Sequence, residues 1–299
     1  MGKKIALVLL VALLSLLAGA WFFYHNLHRA RFRPSPVTQR YPEVLPNSSS
    51  PRVAVPPGAP SAANPNSGKE PAASLLPAFT PRPGESLEFA ANVPKLNSTI
   101  ANLKLLVGEK NAFGGKNAWH FQAFAHTENP YRMIFELDDQ FDSYSDPASN
   151  MTSLQYEMHL SERGQKVDLV QRMLPSPKDP APPDAAAARV LPGTRDPLGM
   201  LQYLRGVDWS KTPEVHSPVY DGRKLYDVRA ALAARSVSVS VPAGNFNASK
   251  IEIHVLDNGV EMKDAHFLLY LANDAARTPV LVEAVLPIAT ARVELTKAN

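Results

Sequence analysis

The stretch LQYEMHLS, residues 154–161, decides the class of fold, because apolar and polar side chains alternate along it without a break. One set of alternate positions is wholly apolar: Leu154, Tyr156, Met158 and Leu160. A period of two residues is that of a β-strand with one buried and one solvated face, which is typical of antiparallel sheets. The sequence therefore predicts an antiparallel strand here.

The same alternation recurs through the part of the chain that follows residue 80. It is clearest at Trp119, Phe121, Ala123 and Ala125, at Val237, Val239 and Val241, and at Ile251, Ile253 and Val255. Further strands are expected over residues 86–93, 100–108, 132–138, 165–173, 224–231, 265–272, 279–286 and 290–296. So many antiparallel strands predict a mainly β domain over residues 81–299, built as one large curved sheet that is open or forms a half-barrel.

One segment has a helical period instead. Asp196 is a good N-cap, Pro197 suits the first helical position, and Gly206 ends the pattern. The leucines between them recur close to one face: Leu198, Leu201 and Leu204. We expect this short helix to pack on the concave side of the sheet. The preceding residues 175–195, rich in proline and alanine, predict an insert loop.

Residues 1–28 contain an uncharged run, IALVLLVALLSLLAGAWFFY, at positions 5–24. At about 1.5 Å per residue this run reaches about 30 Å, the thickness of a bilayer core. We predict a transmembrane helix that anchors the protein in the inner membrane by a single pass, with the domain in the periplasm. The alternative is a signal peptide, since Ala18-Gly19-Ala20 resembles a cleavage site, and cleavage would release the domain into the periplasm.

Residues 29–80 have the composition of a linker. Eleven prolines lie in residues 34–80, among many Ser, Ala and Asn and without a hydrophobic period. Such a segment buries too little apolar surface to offset the entropy of ordering, which predicts a disordered spacer. Residues 1–80 carry eight basic and two acidic side chains, whereas the domain carries 23 basic and 26 acidic ones. The domain has no basic footprint, and we expect no nucleic-acid partner.

Cysteine is absent from the chain, which excludes disulfides, thiolate metal sites, a cysteine nucleophile and a lipoprotein anchor. Nucleotide-binding and hydrolase motifs are absent too, so we expect no enzyme activity, catalytic residue or cofactor. His120 and His126 share a face of one predicted strand, but two ligands do not make a metal site, and none is expected. The acidic segment DDQFDSYSD, residues 138–146, predicts a solvated turn at a strand end.

Six short pieces of the chain match one bacterial family in its own order. They are PGESL at 83–87, FDSY at 141–144, DPL at 196–198 with YLR at 203–205, DGRKLYDV at 221–228, VPAGNF at 241–246, and YLAND at 270–274 with RTPV at 277–280. Residues 83–295 thereby resemble the family called domain of unknown function 3108. The resemblance implies an exported envelope domain with no established enzyme activity. It also implies a curved sheet of lipoprotein-carrier type, which holds acyl chains in an apolar concavity.

These observations favour a non-enzymatic binding module for a hydrophobic or envelope ligand, such as a lipid, held in the sheet's concavity. Its wall would consist of inward apolar side chains around a cavity of roughly a few hundred Å³. The candidates are Phe121, Tyr156, Met158 and Leu201, which could equally belong to the core. The alternative is a structural or scaffolding envelope protein that recruits a protein partner through its linker or a sheet edge.

Overall fold

The computed structural model describes residues 79–93, 98–285 and 290–299, which form a mainly β domain. The predicted membrane span at 5–24 and nearly all of the predicted linker lie outside the described residues. Within the described part of the chain, no helix combines the length and the apolar character needed to cross a membrane.

Thirteen strands of the described chain form one sheet. The first seven are β1 (Ser86–Val93), β2 (Ser98–Phe113), β3 (Lys116–Thr127), β4 (Asp138–Asp146), β5 (Thr152–Glu162), β6 (Gln165–Leu174) and β7 (Ala186–Arg189). The other six are β8 (Glu214–Tyr220), β9 (Leu225–Val241), β10 (Gly244–Asp257), β11 (Val260–Ala272), β12 (Pro279–Val285) and β13 (Thr290–Ala298). Helix α1 (Pro197–Gly206) lies between β7 and β8 in the chain.

The order of strands brings the two ends of the domain together. It runs β7-β6-β5-β4-β3-β2-β1-β13-β12-β11-β10-β9-β8, so that β1 pairs with β13 in the middle of the sheet. Neighbours are antiparallel except for the pair of β6 with β7. The chain therefore meanders outward from β1 to one edge, crosses through α1 to the other edge, and meanders back to β13.

The sheet curves strongly and its two edges come close to each other. β9 contacts β12 and β13, although two or more strands separate them in the sheet. Arg195, just before α1, makes a parallel bridge with Val219 of β8, and the Tyr220 hydroxyl accepts a hydrogen bond from Gln171 of β6 at 2.9 Å. The edge strands β7 and β8 are not paired with each other, so the sheet is open, and these contacts link its two edges.

The buried side chains form two clusters on the inner face of the sheet. One cluster belongs mainly to β9–β13 and includes Ile251 and Phe267, while the other belongs to β3–β6 and includes Phe141. Helix α1 contributes Leu204 to the first cluster and Leu198 to the second. The predictions of a mainly β fold, one large curved sheet and one short helix are confirmed.

The predicted strand at 132–138 is wrong. Tyr131–Met133 forms a 3₁₀ helix, and Leu137 makes a single bridge to Glu162. The apolar residues that suggested a strand, Met133 and Ile134, are exposed rather than buried. The backbone turns here from β3 into β4, which removes the partners that a strand would need.

The acidic segment at 138–146, predicted as a turn, is strand β4. Its inward positions alternate with outward ones as in any strand, but they include the buried polar residues Asp139, Ser143 and Ser145 beside Phe141. The strand has no readable hydrophobic period because polar side chains occupy both of its faces.

The predicted insert loop at 175–195 contains one regular element. Part of its alanine run forms β7, which pairs with β6 in parallel. Backbone hydrogen bonds hold this strand, and a run of identical small side chains has no alternation by which sequence could reveal it.

The substitution Gly222→Ala tests the packing of the β8–β9 turn against the inner face. Gly222 has a φ of +95°, and an added Cβ would lie 2.7 Å from Sδ of the buried Met158. We expect the free energy of unfolding to fall by about 2–3 kcal/mol, since the cost of shifting the buried end of Met158 adds to the backbone strain. Urea unfolding of the full chain in mild detergent, followed by tryptophan fluorescence, measures this loss.

Gly115→Ala is the matched control. Gly115 has a φ of +79°, but no atom lies within 4 Å of an added Cβ. Only the backbone strain remains, which costs about 1–2 kcal/mol. An equal loss in both variants would contradict a tight contact between Gly222 and Met158.

Candidate functional site

Helix α1 borders the candidate site, and a buried carboxylate holds its first turn against the sheet. Asp196 Oδ2 accepts hydrogen bonds from the hydroxyls of Ser143 on β4 and Ser153 on β5, both at 2.6 Å. Its Oδ1 accepts from the Gly199 N–H at 2.8 Å, which makes Asp196 the N-cap of the helix. Burial raises the pKa of Asp196 above its ordinary value, although these hydrogen bonds oppose the rise.

The last turn of α1 is held by a buried ion pair. The Arg205 guanidinium donates to both oxygens of Glu85, which precedes β1, at 2.8 and 2.7 Å. It also donates to the Gln202 side chain at 3.0 Å and to the Ala276 carbonyl at 2.8 Å. A bidentate pair of this kind fixes the arginine in orientation as well as position. Sequence reasoning used Arg205 only as part of a family motif and did not detect this pair, because its partners lie 120 and 71 residues away.

A cleft lies between these two anchors, with α1 on one side and strands β1–β3 on the other. Its apolar lining comprises Leu87, Leu105, Val107, Phe121, Leu198 and Leu201, and its polar end comprises Glu85, Gln202 and Arg205. The enclosed volume is about 10 Å³, room for about one water molecule. The expected cavity of a few hundred Å³ is therefore not present at this cleft.

Several inward-facing apolar side chains near the cleft are only half-buried. They are Leu103 and Leu105 on β2, and Leu201 and Tyr203 on α1. By register, Leu103 and Leu105 lie on the same face as the buried Leu87 and Phe89 of β1, so their exposure does not come from facing outward. The inner wall is thus incompletely covered along this stretch.

The structure separates the four predicted wall residues into two groups. Phe121 and Leu201 line the cleft. Tyr156 and Met158 are buried in the cluster of β3–β6, and Met158 packs beneath the turn at Gly222. Tyr156 and Met158 do not line this cleft, and the role of all four residues in ligand binding stays a prediction.

The two histidines that share a face of β3 have separate partners. His120 contacts Asp142 at 2.7 Å, and His126 contacts Glu128 at 3.0 Å. Burial raises the pKa of Asp142, but side-chain hydrogen bonds, the first from His120, outweigh burial and lower it below its ordinary value. Two other groups, Asp142 with Glu157 and His159, and Glu252 with His254 and His266, have the spacing of metal ligands.

The model of the family described as "Protein of unknown function (DUF3108)" matches residues 98–296. No curated protein matches the chain significantly. Among solved structures, a β-barrel-like protein of domain of unknown function DUF1849 from Brucella abortus is similar, with a TM-score of 0.47 and 11% identity over 72% of this chain and 97% of that one.

Two further structures are more distant. A protein from Parabacteroides distasonis, assigned provisionally as a lipoprotein, has a TM-score of 0.32 and 12% identity over 74% of this chain and 97% of its own. A protein from Bacteroides fragilis with a YmcC-like fold, assigned provisionally as exported, has a TM-score of 0.30 and 10% identity over 74% of this chain and 98% of its own. Likeness at this level carries no argument about ligand or activity.

The substitution Glu85→Gln tests the anchor at the polar end of the cleft. It leaves the buried Arg205 guanidinium without a counter-charge, which should lower the free energy of unfolding by about 3–5 kcal/mol. Glu88→Gln is the control, because Glu88 and Lys104 form a half-exposed pair at 3.8 Å that contributes at most about 1 kcal/mol. Urea unfolding of the full chain measures both. Losses of similar size would contradict the anchoring role.

The substitution Asp139→Asn tests a second buried carboxyl group. Burial raises the pKa of Asp139 to about 7, and its Oδ2 is buried without a hydrogen-bond partner. Between about pH 4, the pKa in an unfolded chain, and pH 7, the folded protein retains a proton that the unfolded chain has lost. Stability from this group is therefore complete below pH 4 and is lost as pH rises to 7. Relative to wild type, the Asn variant should gain about 4 kcal/mol in free energy of unfolding across this window, since each pKa unit corresponds to about 1.4 kcal/mol.

Asp138→Asn is the control for this pH dependence of the free energy of unfolding. Asp138 is half-exposed, and its hydrogen bond with Arg132 lowers its pKa. Its contribution is present above the unfolded pKa and is lost only as pH falls below about 4. The difference from wild type should therefore stay flat from pH 5 to 8. A flat difference for Asp139→Asn as well would contradict a raised pKa at Asp139.

Proposed function

Because this chain belongs to the DUF3108 family of proteins of unknown function, the family supplies no activity, and we propose a function from the geometry. The protein is a non-enzymatic binding module that takes one slender apolar chain, such as the acyl chain of a lipid, into the cleft between α1 and β1–β3. The observation that carries this proposal is that Leu103, Leu105 and Leu201, three apolar side chains on the inner wall, are only partly buried.

The cleft admits a ligand by movement of side chains rather than of the helix. Both ends of α1 are held by buried polar contacts, at Asp196 and at Arg205. Leu201 lies between these anchors, and its contacts are apolar, so a new rotamer breaks no hydrogen bond. An acyl chain that covers the half-exposed leucines gains about 25 cal/mol for each Å² of apolar surface removed from water.

The polar end of the cleft suits the headgroup side of such a ligand. Gln202 and Arg205 lie there beside Glu85, which offers hydrogen-bond donors and acceptors next to an apolar lining. The charges of Arg205 and Glu85 satisfy each other. A neutral or weakly polar group is therefore favoured over a second full charge.

The proposed location is the bacterial envelope, with the apolar run at 5–24 as anchor or export signal and the linker as spacer. The membrane is then both the attachment site and the source of the ligand. A scaffolding role through a sheet edge has less support, because β7 has only four residues and the edge of β8 already receives Arg195. A hydrolase is disfavoured because Ser143 is fully buried and bonded to the N-cap Asp196.

Photo-crosslinking tests the proposal on the full chain in mild detergent. A photoactivatable fatty acid should label residues of β2 and α1, as mapped by peptide mass spectrometry, and unlabelled fatty acid should compete. Leu201→Ala enlarges the cleft and should raise the labelling at least threefold, whereas Leu201→Arg should abolish it. Native mass spectrometry of the same sample should show a bound lipid.

Leu268→Arg is the matched control. Leu268 is also half-buried, but it lies on the outer face of β11, between the inward Phe267 and Leu269. Labelling of the Leu268→Arg variant by the photoactivatable fatty acid should equal that of wild type. Labels confined to residues 5–24, or labels that do not respond to changes at Leu201, would rule the proposal out.

A further inference from the structure

The outer face of β10 and β11 brings together two imidazoles and a carboxylate. His254 and His266 lie directly opposite each other on the two strands, and their rings stack at 4.7 Å with an angle of 13°. Glu252 precedes His254 by two residues on the same strand and therefore shares its face. The inward neighbours Ile251, Ile253 and Phe267 are buried, which fixes these three polar side chains on the outside.

The ligand atoms of the three side chains converge on one point. Glu252 Oε1 lies 2.8 Å from Nε2 of His266 and 3.5 Å from Nε2 of His254, and each of the three side chains has one potential ligand atom within 4.8 Å of such an atom on the other two. Around a tetrahedral zinc ion with bonds of about 2.0–2.1 Å, ligand atoms are about 3.3 Å apart. Small side-chain rotations are enough to reach that spacing.

Two hydrogen-bonding features leave these imidazole nitrogens available. His254 Nδ1 donates to Glu261 Oε1 at 2.6 Å, which leaves Nε2 as the lone-pair nitrogen of the neutral ring. A carboxylate behind a ligating histidine is the usual second partner in zinc sites. His266 Nε2 is buried and makes no hydrogen bond, although Glu252 Oε1 lies 2.8 Å away.

The surroundings are compatible with a dication. Arg229 lies opposite His254 on β9, but the carboxylate of Glu261, hydrogen-bonded to His254, adds a second acidic group to that of Glu252. His216, the next residue in the same row, contacts Glu214 at 2.9 Å. The ligands are between about one seventh and two fifths exposed, so a fourth position is open to water.

We propose that Glu252, His254 and His266 form a site for a divalent transition-metal ion, Zn²⁺ in the first place, with Glu261 as the residue that orients His254. Two imidazoles with one carboxylate are a ligand set that zinc accepts, and the chain offers no thiolate to compete. The site lies on the outer face of the sheet and does not depend on the cleft or on its ligand.

Asp142, Glu157 and His159, the second group with the spacing of metal ligands, have surroundings that are less suited to a metal ion. Asp142 accepts hydrogen bonds from Gln122 and Gln140 at 2.8 and 2.7 Å, besides its contact with His120. His159 contacts Asp168 through Nδ1 at 2.8 Å. The Asp142 carboxylate is therefore already saturated by neighbours, and a metal ion would have to displace them.

Isothermal titration of the full, tag-free chain with ZnCl₂ tests the proposal, after treatment with a chelator and in mild detergent. Wild type should bind one ion with saturable affinity. His254→Gln and His266→Gln should each weaken binding by at least 100-fold, and Glu261→Gln by about tenfold, the usual effect of losing an orienting carboxylate. The spectrum of bound Co²⁺ should show a four-coordinate ion in wild type and lose this signature in His266→Gln.

His159→Gln is the matched control and should bind zinc as wild type does. Circular dichroism checks that each variant is folded. If a histidine variant does not fold, Glu252→Gln replaces it, because Glu252 is the most exposed of the three ligands. Absence of zinc binding in wild type would overturn the site. Undiminished binding in folded His266→Gln would also overturn it, because the ion would then bind elsewhere.

Discussion

The Asp196 carboxylate is the interaction on which the arrangement of this domain depends. The chain finishes its first meander at β7 and must cross to β8, on the opposite edge of the sheet. That crossing passes along the inner face, where backbone groups have little water and must find partners within the protein. Asp196 supplies them by capping α1 while it accepts hydrogen bonds from Ser143 and Ser153. These bonds offset part of the cost of burying the carboxylate, and they fix the position of the crossing helix on the sheet.

The candidate cleft follows from how α1 is held. Asp196 ties its first turn to β4 and β5, and Arg205 ties its last turn to Glu85. Between these two points the lining of the cleft is mainly apolar, and Leu201 and Leu105 are only partly buried there. Rigid ends and an adaptable middle are what a site needs if it is to hold a flexible chain without moving the backbone.

The outer face shows that similar residue types can be used in two ways. Around Asp142, amide and imidazole donors satisfy the carboxylate. Around Glu252, two histidine nitrogens approach one oxygen, and one of them has no hydrogen-bond partner. The difference lies in the neighbours that the register brings alongside and not in composition, so no count of histidines and acids along the chain could distinguish the two.

The sequence by itself determined the local structure wherever the side-chain pattern is local. The alternation of apolar and polar residues predicted most of the strands, and Asp196-Pro197 with the spaced leucines predicted α1. These features depend on a few neighbouring residues, because a helix cap and the face on which a side chain lies are both decided locally. Only the tertiary structure decided the rest. On β4 the polar Ser143 faces inward because it bonds to a helix cap that comes about 50 residues later. Strand β7 exists because β6 offers it an edge. The convergence of His254 with His266 depends on the register of β10 with β11, and a slip of one residue would turn one of them inward. Contacts between distant segments follow from pairing and packing of the whole sheet, and no single stretch of residues encodes them.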